Sequence, residues 1–214
     1  MRVRLIEIRI LVLSVAAVLA TEALTTLVIL QTACPPMLAL GIARLLETML
    51  LFLIVTTLGK GMSSIGLDRN NIIPGLKKGL IWSVAFGLCA LLGFAVLFAA
   101  RINPLNMIKT GLPPNTLELA LYFAVGGLMG PVAEEVFFRG IIYGFLRRWG
   151  ILVAILGTTA IFVVAHSVRT GVPLTQTIGG IVFAIAYEME GNLMVPIVIH
   201  VLGNMAIFAL SLMS

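Results

Sequence analysis

Gly126-Gly127-Leu128-Met129-Gly130-Pro131-Val132-Ala133-Glu134-Glu135-Val136-Phe137-Phe138-Arg139-Gly140 sets two adjacent carboxylates in an apolar stretch, with an arginine four residues after the second. Charges among Val, Ala and Phe are costly unless something pairs with them or uses them. On a helix, Glu135 and Arg139 stand at i and i+4 in the favourable order, so Arg139 neutralises and orients Glu135. Glu134 is rotated about 100° away and lacks that local partner.

The surroundings are apolar throughout the chain. Of 214 residues, 60% are hydrophobic and 11% charged, and the mean hydropathy is +1.14. That composition excludes an ordinary soluble domain and indicates an integral, multi-pass membrane protein. Apolar runs lie near residues 5–30, 37–58, 77–99, 117–146, 151–168, 173–189 and 193–213. Each is expected to be helical, because a segment in lipid must satisfy its own backbone. The expected fold class is all-α: a polytopic transmembrane bundle of seven to eight spans enclosing an intramembrane active-site cavity. Residues 1–116 form amino-terminal helices with an interfacial segment over 62–78, and 117–214 a catalytic core, integrated in one membrane domain.

The fourth run is too long for one simple crossing, and Gly126, Gly127, Gly130 and Pro131 lie in its middle. A break is expected there, with Pro131 in the first turn of a second helical piece. The two glutamates then fall near that piece's free N–H groups and positive dipole end. Asn115 followed by Glu118 resembles a capping box at the start of the run.

The net charge of +5 is spread over segment ends and is not a nucleic-acid footprint. Arg2, Arg4, Arg9, Lys60, Arg69, Lys77, Lys78, Arg147 and Arg148 fall on one side under a seven-span path. Arg101, Lys109 and Arg169 fall on the other. This imbalance predicts a cytoplasmic amino terminus. Residues 10–20 have signal-peptide character, but apolar residues continue to Leu30, which favours an uncleaved anchor. Met62 to Lys78 carries charges among Ile and Leu, as an interfacial helix does. Cys34 and Cys89 are 55 residues apart and suggest neither a disulfide framework nor a cysteine metal site. Trp82 and Trp149 are expected near the interfaces.

Other intramembrane polar residues divide into two groups. Arg44 and Glu47 can pair on one helix, joined by Glu22 from the first span, as a structural cluster. Glu188 and Glu190 lie near a helix end beside Gly191, as structural or rim residues. Both histidines of the chain lie within spans: His166 follows Phe162 by one turn, and His200 shares a face with Asn204. A carboxylate to activate water, imidazoles to manage its proton and an amide donor make up the inventory of a hydrolytic site.

Glu134-Glu135-xxx-Arg139, Phe162-xxx-His166 and His200-xxx-Asn204, in that order, resemble the three motifs of the CAAX prenyl endopeptidase type 2 and bacteriocin-processing (CPBP) family of intramembrane proteases. Gly191-Asn192-Leu193 through Pro196 is similar to the approach to the third motif. The resemblance covers about residues 117–208 and implies a helical core around a cavity, cleaving peptide bonds near the membrane surface. It implies that Glu134 is the general base, that His166 positions or deprotonates the water, and that His200 and Asn204 stabilise the oxyanion. Glu135 and Arg139, with Phe162, are the supporting residues.

No cofactor is favoured. Zinc held by Glu134, His166 and His200 is the alternative, although no HExxH helix is present and Asn204 is a poor zinc ligand. The expected partners are the bilayer and a membrane peptide or protein substrate, prenylated or a leader peptide, with no nucleic acid. The competing functions are a non-catalytic immunity or scaffold protein, and a proton-coupled transporter, for which no internal repeat is visible.

Overall fold

The computed structural model describes residues 5–166 and 174–213. Among these, all regular structure is helical. Seven long helices follow the apolar runs: α1 (Ile8–Gln31), α2 (Pro36–Leu58), α3 (Ile72–Ala99), α4 (Thr116–Trp149), α5 (Ile151–His166), α6 (Leu174–Glu190) and α7 (Met194–Leu212). α1, α2, α4, α7 and the α3 segment are long and apolar enough to cross a membrane, while α5 and α6 are shorter. The chain is a multi-pass integral membrane protein. Arg2, Arg4 and Arg169, which contribute to the charge imbalance, lie outside the described residues.

α4 is the hub, packed against α1, α2, α5 and α7, while α3 packs on α7 and α5 on α6. Large side chains on α3 such as Ile81, Leu88 and Leu92 are exposed, as lipid-facing residues are. The core runs from Leu51 and Val55 of α2 through Val136, Ile141 and Tyr143 of α4 to Tyr187 and Ile197.

Two expectations are corrected. α4 does not break at its glycines. It continues through a π turn at Val125–Met129, an α-helical piece at Gly130–Glu135 and a second π turn at Val136–Tyr143. The Gly130 N–H reaches back five residues to Val125 O, so the backbone widens to absorb the glycines and Pro131. The glutamates therefore sit mid-helix, away from the free N–H groups of a helix start. At the true start of α4, Asn115 caps the N–H groups of Leu117 and Glu118 at 2.8 and 3.3 Å.

The expected interfacial helix over 62–78 is also absent. Short 3₁₀ turns at Met62–Ile65 and Arg69–Asn71 precede α3, which already begins at Ile72. Gly66 ends the first turn with φ +77°, a left-handed conformation that stops a helix. The segment is strapped down instead: Tyr187 donates to Ile65 O at 3.1 Å, Leu193 N–H to Gly66 O at 3.2 Å and Asn192 to Asn71 O at 2.8 Å.

Glu188 and Glu190 have the structural places expected. Glu188 accepts from Tyr143 at 2.8 Å and from Arg147 at 2.8–3.1 Å, joining α6 to α4. Glu190 accepts from Lys78 and from Trp82 Nε1, the latter at 3.1 Å, joining α6 to α3. Trp82 is thus a tether as well as a membrane-helix aromatic. Both cysteines are free.

Close α3–α7 contact is tested by two glycines of the same helix. A Cβ on Gly79 would lie 2.6 Å from Val198 Cβ, which a β-branched residue cannot move aside, whereas one on Gly87 would meet nothing within 4 Å. Gly79→Ala is expected to cost about 1–3 kcal/mol. Gly87→Ala should leave the thermal unfolding temperature in detergent unchanged or slightly raised.

Candidate active site

The short α-helical piece of α4 between its two π turns carries both glutamates. Glu135 and Arg139 are fully buried, with Arg139 Nη1 donating to Glu135 Oε1 at 2.9 Å. Two isolated charges at this depth would be prohibitive, and the rest of the setting shows how they are accommodated. Arg139 Nη2 donates to Gly180 O on α6 at 3.1 Å. The guanidinium lies over the rings of Phe162 and Phe183, 4.7 and 5.2 Å from their centroids, where cation–π attraction replaces part of its hydration. On the other side, His200 Nδ1 of α7 lies 2.8 Å from the same Glu135 Oε1. Glu135 thus has two partners where its sequence spacing indicated one.

Glu134 points elsewhere, towards the two imidazoles. Its Oε2 lies 3.6 Å from His166 Nε2 and 3.8 Å from His200 Nε2. Those separations exceed direct hydrogen bonds and suit groups that share a third partner. Each ring is oriented from behind. His166 Nδ1 lies 2.8 Å from Phe162 O, which can only accept, and His200 Nδ1 faces the Glu135 carboxylate. Both Nδ1 atoms therefore carry protons, and in the neutral rings both Nε2 lone pairs face Glu134. Phe183 stacks on His200 at 4.6 Å with the rings 24° apart, fixing its plane.

Glu134, His166 and His200 thus come together from α4, α5 and α7. Asn204 occupies the same helix as His200, but its Nδ2 donates to Gly126 O at 2.9 Å. Gly126 is in the first π turn, and such a turn leaves a carbonyl out of the regular helical ladder. Phe162 supports the site in three ways: its carbonyl holds His166, its ring underlies Arg139, and its edge meets Phe138 at 5.0 Å.

Glu134 and His166 open into a cavity of about 800 Å³ whose other wall includes Glu22, Arg44 and Glu47. Arg44 bridges both of these carboxylates, 2.6 Å from Glu22 Oε1 and hydrogen-bonded to Glu47. This is the expected structural cluster, yet it shares a chamber with Glu134. Spacing within α2 predicts the pair but not the wall it faces. Phe183 and Gly180 likewise had no spacing signal, since their partners lie on other helices.

The donors can be tested for a metal. Two imidazole nitrogens and one carboxylate oxygen are suitable chemically, and second-shell acceptors on both Nδ1 atoms resemble those of metal-binding histidines. Among the described residues, however, no group of three His, Cys, Asp or Glu side chains has a metal site's geometry.

Residues 116–206 match the family model described as type II CAAX prenyl endopeptidase Rce1-like. A protein of Staphylococcus aureus (strain USA300), the membrane-embedded CAAX protease MroQ, is 31% identical over 134 residues, with 54% of this chain and 54% of that protein covered. The match thus spans about half the length of the curated relative. No solved structure matches the chain.

The buried pair makes a distinct stability prediction. Arg139→Ala leaves Glu135 buried without its guanidinium counter-charge, with only His200 Nδ1 against it, and is expected to cost about 3–5 kcal/mol. The double change Glu135→Gln with Arg139→Met should cost less than Arg139→Ala alone when thermal unfolding in detergent is measured.

Proposed function

We propose, from the match of residues 116–206 to the type II CAAX prenyl endopeptidase Rce1-like family model and the similarity to a membrane-embedded CAAX protease, that this chain is an intramembrane endopeptidase using a water activated by Glu134. The observation that carries the reading is the convergence of the Glu134 carboxylate with two oriented imidazoles from separate helices, at 3.6 and 3.8 Å.

In this mechanism Glu134 takes a proton from a water positioned by His166 Nε2. The resulting hydroxide attacks the scissile carbonyl carbon, the C–N bond breaks, and Glu134 returns the proton to the leaving amine. Asn204 donates to the developing oxyanion, and His200 does so as the imidazolium, with Nε2 protonated. Asn204 has a second N–H beyond the one given to Gly126, and His200 is held in place by Glu135 and Phe183. Glu135 and Arg139 act behind the reacting atoms as positioning residues. The substrate is a peptide or protein at the membrane, with a prenylated protein, a leader peptide, a sorted surface peptide and another membrane protein all open. The excess of Lys and Arg on one set of loops supports a cytoplasmic amino terminus.

Glu134→Gln should abolish cleavage with unfolding temperature and expression retained, and uncleaved membrane substrates should accumulate in cells carrying it. Normal processing by that variant would sink the protease reading in favour of a membrane scaffold. Asn204→Ala should reduce turnover by about two to three orders of magnitude, the weight of one oxyanion donor. Metal analysis of purified active protein, with a strong chelator as control, is expected to give no stoichiometric zinc. Zinc whose removal abolishes cleavage would replace the glutamate–water mechanism.

A further inference from the structure

The wall opposite Glu134 holds more negative charge than helix pairing requires. Arg44 has one positive charge and two carboxylate partners, Glu22 on α1 and Glu47 on α2. A single carboxylate would suffice to tie the helices. Glu47 is 2% exposed, and its Oε1 has no hydrogen-bond partner although the residue lines the cavity. Glu22 is more open, with its side chain 39% exposed. Counting Glu134, three carboxylates, one guanidinium and the His166 imidazole surround this chamber. The facing surface is apolar, with Phe137, Phe138 and Ile142 prominent.

A buried, unpartnered carboxylate oxygen is a site of unmet hydrogen-bonding capacity. A chamber with that charge balance favours a cation and disfavours an anion. Its apolar face suits the aliphatic stem of a long basic side chain, whose head would reach the carboxylates. We propose that the Glu22–Arg44–Glu47 wall is a substrate subsite that takes a lysine or arginine side chain close to the scissile bond, the cationic head lying against Glu22 and Glu47. This rests on the protease reading of Glu134 for the location of the bond. The selection of charge rests on the wall alone. A peptide carrying a carboxylate at the same position would meet the surplus negative charge and be rejected.

The test separates the two. Protein carrying Glu134→Gln is placed in nanodiscs, and fluorescence anisotropy measures binding of labelled peptides identical except for Lys, Leu or Glu, scanned along the positions of one sequence. At one position the Lys peptide is expected to bind about tenfold more tightly than the Leu peptide, with the Glu peptide weakest, the effect of one desolvated charge contact. Adding Glu22→Gln should collapse the Lys-to-Leu ratio to about twofold or less, whereas general damage would weaken all three peptides together. Equal affinities at every position, or a ratio untouched by Glu22→Gln, would overturn the subsite. Wild-type cleavage of the same peptides is read in parallel. Cleavage without charge preference sinks the subsite and keeps the protease; charge-selective binding without cleavage keeps the basic-side-chain site, removes its place beside a scissile bond and counts against the protease.

Discussion

The Glu135–Arg139 pair is the interaction on which the site hangs. It lies at zero exposure in the hub helix, where neither partner could be left alone. Other helices meet part of its remaining capacity, with Gly180 O on α6, the Phe162 ring on α5 and His200 Nδ1 on α7, while Glu135 Oε2 and Arg139 Nε are buried without a hydrogen-bond partner. The cost of burying charge thus sets the arrangement of four helices around one fork. A lysine could carry the charge, but it lacks the planar fork that reaches Glu135 and Gly180 together and lies flat over the rings.

Two adjacent carboxylates acquire different work from that constraint. Glu135 is consumed by Arg139 and His200 and is closed off from the cavity. Glu134, one residue earlier, turns into the cavity and faces the two Nε2 atoms. The link between them is His200, which touches Glu135 with one nitrogen and approaches Glu134 with the other. A structural ion pair therefore fixes the ring that faces the proposed base, and local packing becomes orientation in the site.

Much of this was legible in the sequence because it is carried by short spacings. Apolar runs marked the seven helices, i to i+4 spacing marked Glu135 with Arg139 and His200 with Asn204, and Asn115 marked the start of α4. Less legible were features that depend on how the backbone absorbs a conflict. A run containing Gly126, Gly127, Gly130 and Pro131 is compatible with a break or with wider π winding, and the chain takes the latter where α2 and α7 pack against it. The 62–78 segment carries interfacial composition, yet Gly66 in the left-handed region divides it. Packing contacts between helices left little pattern beyond the polar residues themselves, which is why Phe183 and the position of the Glu22–Arg44–Glu47 cluster opposite Glu134 were missed.

The same limit explains the double character of Arg44. Along α2 it is one half of an ion pair, and that is sufficient reason for it to be tolerated in lipid. Across the cavity it is one cation among three carboxylates, and that balance is visible only after α1, α2 and α4 are packed together. The two polar assemblies differ in how they end. Glu135 and Arg139 are fully buried among the Phe162 and Phe183 rings, Gly180 O and His200, so they serve geometry. Glu22, Arg44 and Glu47 border open space, so their surplus charge faces whatever enters beside Glu134. A membrane protein that keeps one ionic cluster closed and another open has separated the charge that holds the helices from the charge available to a substrate.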